Sequence, residues 1–284
     1  MNSILKTVDG NIEKMTTLDH TVPKIIGLVN DLNSSTQDLI KVIQMDPVLT
    51  GKVLKLVNSS FFGLPSQITS LSRAVILLGL NTIKHLALTS CVLGSLQKGV
   101  RSRHLSSEQF WTYSVGTAVF SQILGREIKL DKQIIDDLFL VGLLHCIGIA
   151  FLMQFYPSEY EQVLALAKER EVPLTEVESD MMGISHLEVG ERLAMRWRLP
   201  DWLVDGVKNY SEPLKSELKT TWVVAVASNM LRINRVGSCG EGYTEYLAPE
   251  IWDVVGTSQT RAQELLEARL RVELAKASQF VRGA

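Results

Sequence analysis

Apolar positions recur at helical spacing along nearly the whole chain, and start and stop signals divide them into helices. The stretch "SSTQDLIKVIQM" offers Ser/Thr caps and an i, i+3, i+4 apolar row that stops at Asp46. Asp46-Pro47 then opens "PVLTGKVLKLVNSS", with the aspartate as cap and proline in the first turn. Ser70 and Asn81 are read as caps for "LSRAVILLG" and "TIKHLALTSCVLGSL", and Ser106 begins "SEQFWTYSVGTAVFSQILGRE". A helix starts near Asp131. Ser158 with Glu161, and Ser185 with Glu188, are read as capping boxes for "EYEQVLALAKERE" and "HLEVGERLAMRW". "LKTTWVVAVASNMLRI" reads as a buried helix, and the segment from Thr257 as a long amphipathic one. Strand-like runs such as "TWVVAVA" lie inside longer helical patterns. The pattern predicts an all-α protein.

One stretch breaks the amphipathic rule. Residues 138–155, "LFLVGLLHCIGIAFLMQF", are apolar or glycine except for His145 and one glutamine. Such a run is near the shortest that spans a bilayer. Asp136 and Asp137 precede it directly, no Lys/Arg cluster follows it, and His145 would sit near mid-membrane, where polar groups are costly. A core helix wrapped by others is the expectation, and no membrane partner. Its histidine is then either incidental or left over from a metal site.

Composition narrows the function classes. The 284 residues carry 29 basic and 31 acidic side chains, so no broad field draws nucleic acid, and no nucleic-acid partner is expected. The 46% hydrophobic content supports a large core without disulfides. Cys91, Cys146 and Cys239 are too far apart for a disulfide framework or a CxxC knuckle. The N-terminus shows no signal core, and a reduced, cytoplasmic setting is expected. The most linker-like stretches are 97–107 and 234–244.

Two long stretches resemble a bacterial family, the HDOD domain, a relative of HD-type metal-dependent phosphohydrolases. The first is "DPVLTGKVLKLVNSSFFGLPSQITSLSRAVILLGLNTIKHLAL"; the second is "FLVGLLHCIGI" followed by "GISHLEVGERLAMRWRLPDWLVDGV". The resemblance covers roughly residues 16–232. It implies an N-terminal helical lobe over about 16–100 and an HD-like lobe over about 101–232. Residues 233–284 would form a helical extension that packs on the core or makes an oligomer contact.

HD enzymes bind divalent metal through histidines and aspartates that converge from separate helices, and the carboxylates help lower the pKa of a bound water. The resemblance places the early histidine near Tyr113 and the His-Asp pair at His145-Cys146. The next histidine is His186, a further one falls at Asn209 or Tyr210, and the late aspartate falls at Ser228 or its neighbour Asn229. Two histidines persist while the carboxylates are gone. No cofactor is expected; if any metal bound, His145 and His186 would be its ligands.

Sharper chemistry is weighed against plain packing. Zinc on Cys146, His145 and His186 is hindered because adjacent helical residues point about 100° apart. A Cys146 nucleophile needs an exposed thiolate, which a flank of Leu143, Leu144, Ile147 and Ile149 does not provide. His20, His85 and His104 are read as lying near helix ends or loops, and Lys98, Arg101 and Arg103 as a solvated loop. Trp197, Pro200 and Trp202 are read as corner packing. Phe61 and Phe62, in a Gly/Pro turn, either plug the lobe junction or form a partner surface.

The expected function is a non-catalytic signalling or regulatory module acting through protein-protein contacts, with other signalling proteins as partners and a homodimer as a further option. The alternative is a phosphohydrolase on nucleotides or cyclic dinucleotides with an atypical ligand set. A third is a nucleotide sensor whose pocket is lined by His145, His186, Tyr113 and Asn209.

Overall fold

A computed structural model describes residues 3–16, 21–31, 33–96, 102–241, 243 and 246–281. His20, Lys98 and Arg101 lie outside the described residues. Within them the chain is helical and contains no strand. The first helices are α1 (Ser3–Thr16), α2 (Thr21–Asn30), α3 (Thr36–Gln44), α4 (Pro47–Val57), α5 (Leu71–Leu78) and α6 (Leu80–Leu96). Then follow α7 (Ser107–Glu127), α8 (Lys132–Leu144), α9 (Ile147–Phe155), α10 (Pro157–Arg170), α11 (Leu174–Met182), α12 (His186–Arg196) and α13 (Asp201–Asn209). The chain continues with α14 (Lys219–Ile233), α15 (Pro249–Val255), α16 (Gln259–Leu265), a π-helical turn over Leu266–Leu270, and α17 (Arg271–Val281).

Local chemistry explains most boundaries. Ser35, Ser106 and Ser185 close complete capping boxes with Asp38, Gln109 and Glu188. Asp46 accepts from the amides of Val48 and Leu49 ahead of Pro47. Two expected starts differ. α6 begins at Leu80, directly after Gly79 takes φ +90°, so Asn81 lies inside the helix. α10 begins at Pro157, whose fixed φ suits the first helical position. Ser158 therefore makes no capping box, and Glu161 instead accepts from the Arg103 amide at 3.1 Å.

The central layer is α7, α8 and α14 packed side by side, with α13 against α8 and α14, and α12 lying across α9 and α13. The early helices gather around α6, which joins them to α8 and α9. α1 crosses to the other side and meets α12, where Arg192 pairs with Asp9 and Arg196 with Glu13. The apolar stretch from Lys132 to Phe155 is the one span among the described residues long and apolar enough to cross a membrane, and 89% of its most apolar 18-residue window is buried inside the protein. It is not one helix: α8 ends at Leu144 and α9 starts at Ile147, with His145 and Cys146 in the break.

Candidate functional site

The break at 145–146 turns two side chains into the layer between α7, α12, α13 and α14. His145 is 1% exposed. Its Nδ1–H donates to the Gly142 carbonyl at 2.7 Å, which fixes the tautomer and leaves Nε2 as a buried acceptor with no protein partner. Tyr113 of α7 and Tyr210, just past α13, flank the ring, with centroids 5.4 and 4.6 Å away. Burial holds the imidazole neutral, with its pKa down to about 3. Cys146 lies 3.3 Å from the Ser114 hydroxyl, and burial pushes its thiol well above the ordinary range. That is the opposite of what a nucleophilic cysteine needs.

His186, the first residue of α12, is built differently. Its backbone N–H and its Nδ1 both bond the Glu178 carboxylate, at 2.8 and 2.7 Å, and its Nε2 meets the Tyr210 hydroxyl at 2.8 Å. The Tyr160 hydroxyl donates to Glu178 at 2.6 Å. Burial alone would disfavour the imidazolium, but the charge and hydrogen bonds of Glu178 outweigh it and raise the His186 pKa. Glu178 is fully buried, and its two oxygens accept all of these bonds.

The remaining expected positions split. Tyr113 bonds Ser228 at 2.6 Å across α7 and α14, so both sit in the cluster with His145, Cys146, His186 and Tyr210. Asn209 turns away and donates to Asp205 at 2.8 Å, in a separate network that includes Ser216 and Thr221.

The stretch after α14, which reads as a linker in the sequence, is part of this core. Ser238 N–H bonds the Gln109 carbonyl, and Cys239 is 3% exposed. The Cys239 thiol points at the Glu241 carboxylate, 4.0 Å away, and burial pushes its pKa up to about 11. Glu241 pairs with Arg232, both nearly covered. Gly237 at φ +68° permits this insertion: a Cβ there would stand 2.4 Å from the Tyr113 amide nitrogen. Residues 236–241 thus pack as a plug against α7 beside Tyr113 and, at Gly240, against Leu164 and Leu105. Outside the plug, Asn229, Arg232 and Glu241 reach a cleft of about 760 Å³. Tyr113, His145, His186 and Asn209 are buried and do not line it.

Metal chemistry can be tested on the donors. His145 keeps one open lone pair, but both His186 nitrogens are engaged and, among the described residues, no carboxylate bonds or pairs with His145. Among the described residues no group of three or more His, Cys, Asp or Glu converges. These donors do not fit a divalent metal pair.

Sequence reading missed Glu178, Cys239, Arg232 and Glu241. A signal existed for Glu178, which stands midway in the i, i+4 row Leu174–Glu178–Met182 on the buried face of α11. Elsewhere, His85 is a correction: it sits mid-helix in α6, buried, 3.4 Å from Asp137 of α8. His104 lies in a loop near Glu161. Phe61 and Phe62 are half-buried, and Phe61 packs on Phe139 of α8 with centroids 5.3 Å apart.

Known proteins agree with this architecture. The HDOD domain family matches residues 15–213. An HDOD domain protein of unknown function from Geobacter sulfurreducens has 23% identity and a TM-score of 0.76, over 97% of this chain and 98% of that one. A candidate phosphohydrolase from Shewanella amazonensis has 20% identity and a TM-score of 0.72, over 99% and 98%. An uncharacterized protein of Treponema pallidum is 29% identical over 171 residues, 60% of this chain. The match spans 32% of that relative's length.

Proposed function

The chain belongs to the HDOD domain family, a relation of the HD phosphohydrolases, and on that premise we propose that it is a non-catalytic signal-transduction module acting through protein-protein contacts. The observation that carries the reading is the donor set: among the described residues no group of three or more His, Cys, Asp or Glu converges, and the buried cluster is backed by Cys239 and the Arg232–Glu241 pair instead of carboxylates open to a metal. Cys146 in place of a carboxylate supports it. So does His186, whose second nitrogen is taken by Tyr210. The module works in the cytoplasm, in keeping with three buried free thiols, and its partners are other signalling proteins or a second copy of the chain. Ile76, 82% exposed on α5, is an apolar point such a partner would cover.

The test is elemental analysis of tag-free protein purified without chelator, combined with hydrolysis assays on nucleotides and cyclic dinucleotides. Metal well below one per chain and no turnover is the expected result. Near-stoichiometric zinc, iron or manganese that vanishes in His145→Ala would replace this reading with a phosphohydrolase of unusual ligand set.

A further inference from the structure

A second cavity, of about 320 Å³, lies far from the plug in composition and in its walls. It opens where the early helices, α7, α8 and α17 meet. Its floor is aromatic: Phe61 and Phe62 from the turn after α4, in edge contact with each other, and Phe139 from α8. Its rim carries both signs of charge. Arg126 at the end of α7 and Lys132 at the start of α8 form no ion pair among the described residues, and Arg126 makes only a long 3.4 Å bond to Gln122. Asp136, half-buried one turn after Lys132, and Glu273 of α17 supply the negative side, Glu273 also holding Lys276 at 3.0 Å.

The two signs decide the ligand class. A simple anion would satisfy Arg126 and Lys132 but face Asp136, and a simple cation would meet the reverse problem. An uncharged hydrocarbon would fill the floor and leave the rim unused. The volume is at the low end of small-molecule sites, about 300–1,000 Å³, which is too little for a dinucleotide. We propose that this cavity binds a small zwitterion with an apolar side chain, the chemistry of the larger free α-amino acids. The carboxylate lies against Arg126 and Lys132, the ammonium against Asp136, and the side chain among Phe61, Phe62 and Phe139. Because the walls come from both ends of the chain and its middle, an occupant clamps the early helices and α17 onto α7 and α8. Binding would then favour one arrangement of these elements. This site is independent of the metal question and gives the signalling module an input.

Calorimetry and ligand-observed NMR with L-phenylalanine, L-tryptophan and L-leucine test it on the full chain. Saturable binding is expected for at least one of them, weakened tenfold or more in Arg126→Gln. The weakening should also appear when 3-phenylpropionate or phenethylamine replaces L-phenylalanine. Arg126 is exposed, so the variant should keep the native melting temperature, and Lys132→Gln gives a second reading of the same contact. Absence of saturable binding at millimolar amino acid overturns the proposal. So does binding that both variants leave unchanged, or equal binding of phenethylamine.

Discussion

At the scale of single residues, the buried histidines should mark the acid response of the fold. His145 in the folded protein is held down to about 3, whereas an unfolded histidine titrates near 6.5. Between these values the unfolded chain binds the extra proton, so stability is complete above pH 6.5 and declines as the pH falls toward 3. A shift of that size corresponds to at most about 5 kcal/mol. Two other groups act in nearly the same window. His85, held down to about 4 chiefly by burial, adds to the loss, whereas Asp137, raised to about 7 by burial and by Asp136, pulls the other way. Comparing wild type with His145→Gln by urea unfolding at pH 7 and pH 4.5 isolates the first contribution. The variant should lose clearly less stability than wild type on acidification. Equal losses would mean that His145 is not held neutral. His186 has the opposite sign, since its pKa is raised: what its pairing with Glu178 contributes is present below pH 6.5 and fades as the pH rises through the folded value.

At the scale of elements, the contact between α9 and α12 depends on one missing side chain. A Cβ on Gly148 would sit 1.9 Å from the His186 carbonyl oxygen and 2.9 Å from the Gly190 nitrogen. Both are backbone atoms, so no rotamer change relieves the clash, and α12 must move as a unit and take His186 away from Glu178. Gly148→Ala should therefore cost about 3 kcal/mol, the upper part of the usual range for overpacking, read as a lower urea midpoint. A change within about 0.5 kcal/mol would show that α9 and α12 do not approach so closely. Helices such as α7 and α12 were legible because periodicity and capping are local. The break at His145-Cys146 was not, since an unbroken apolar run carries no signal for a two-residue turn. Nor was the α10 start, where Pro157 outweighed the Ser158/Glu161 pattern. Within the site, resemblance marked the positions of His145, Cys146, His186, Tyr210 and Ser228. Glu178 and Cys239 depend on which distant elements face them. Flanking glycines made residues 236–241 look like a connector, although those glycines are what allow the insertion.

At the scale of the whole molecule, the C-terminal helices close a circuit from the last residues to the first hundred. Ala262, Leu265, Leu266, Leu270 and Ala277 are buried, and α16, the π turn and α17 all lie along α7. The π turn at Leu266–Leu270 inserts extra residues into the helical repeat and so rotates the face that α17 presents. From α17, the Lys276 carbonyl accepts from the Ser60 hydroxyl at 2.9 Å, next to Phe61 and Phe62. Arg261 meanwhile reaches Glu127 at the end of α7, at 2.8 Å. The helix thus fastens the α4–α5 turn to α7, two elements separated by about fifty residues of chain. A chain ending at Gly256 loses this fastening while leaving α9, α12 and α13 with their own contacts. Hydrogen exchange on that truncated chain should show lost protection in residues 59–62 and along α7, with α12 and α13 close to the full-length pattern. The newly bared apolar face of α7 should also bind a hydrophobic dye. Uniform loss across all helices would instead make the C-terminal segment part of one cooperative unit. Unchanged protection at 59–62 would mean the turn is held without α17, by its own hydrogen bonds and its packing on Phe139.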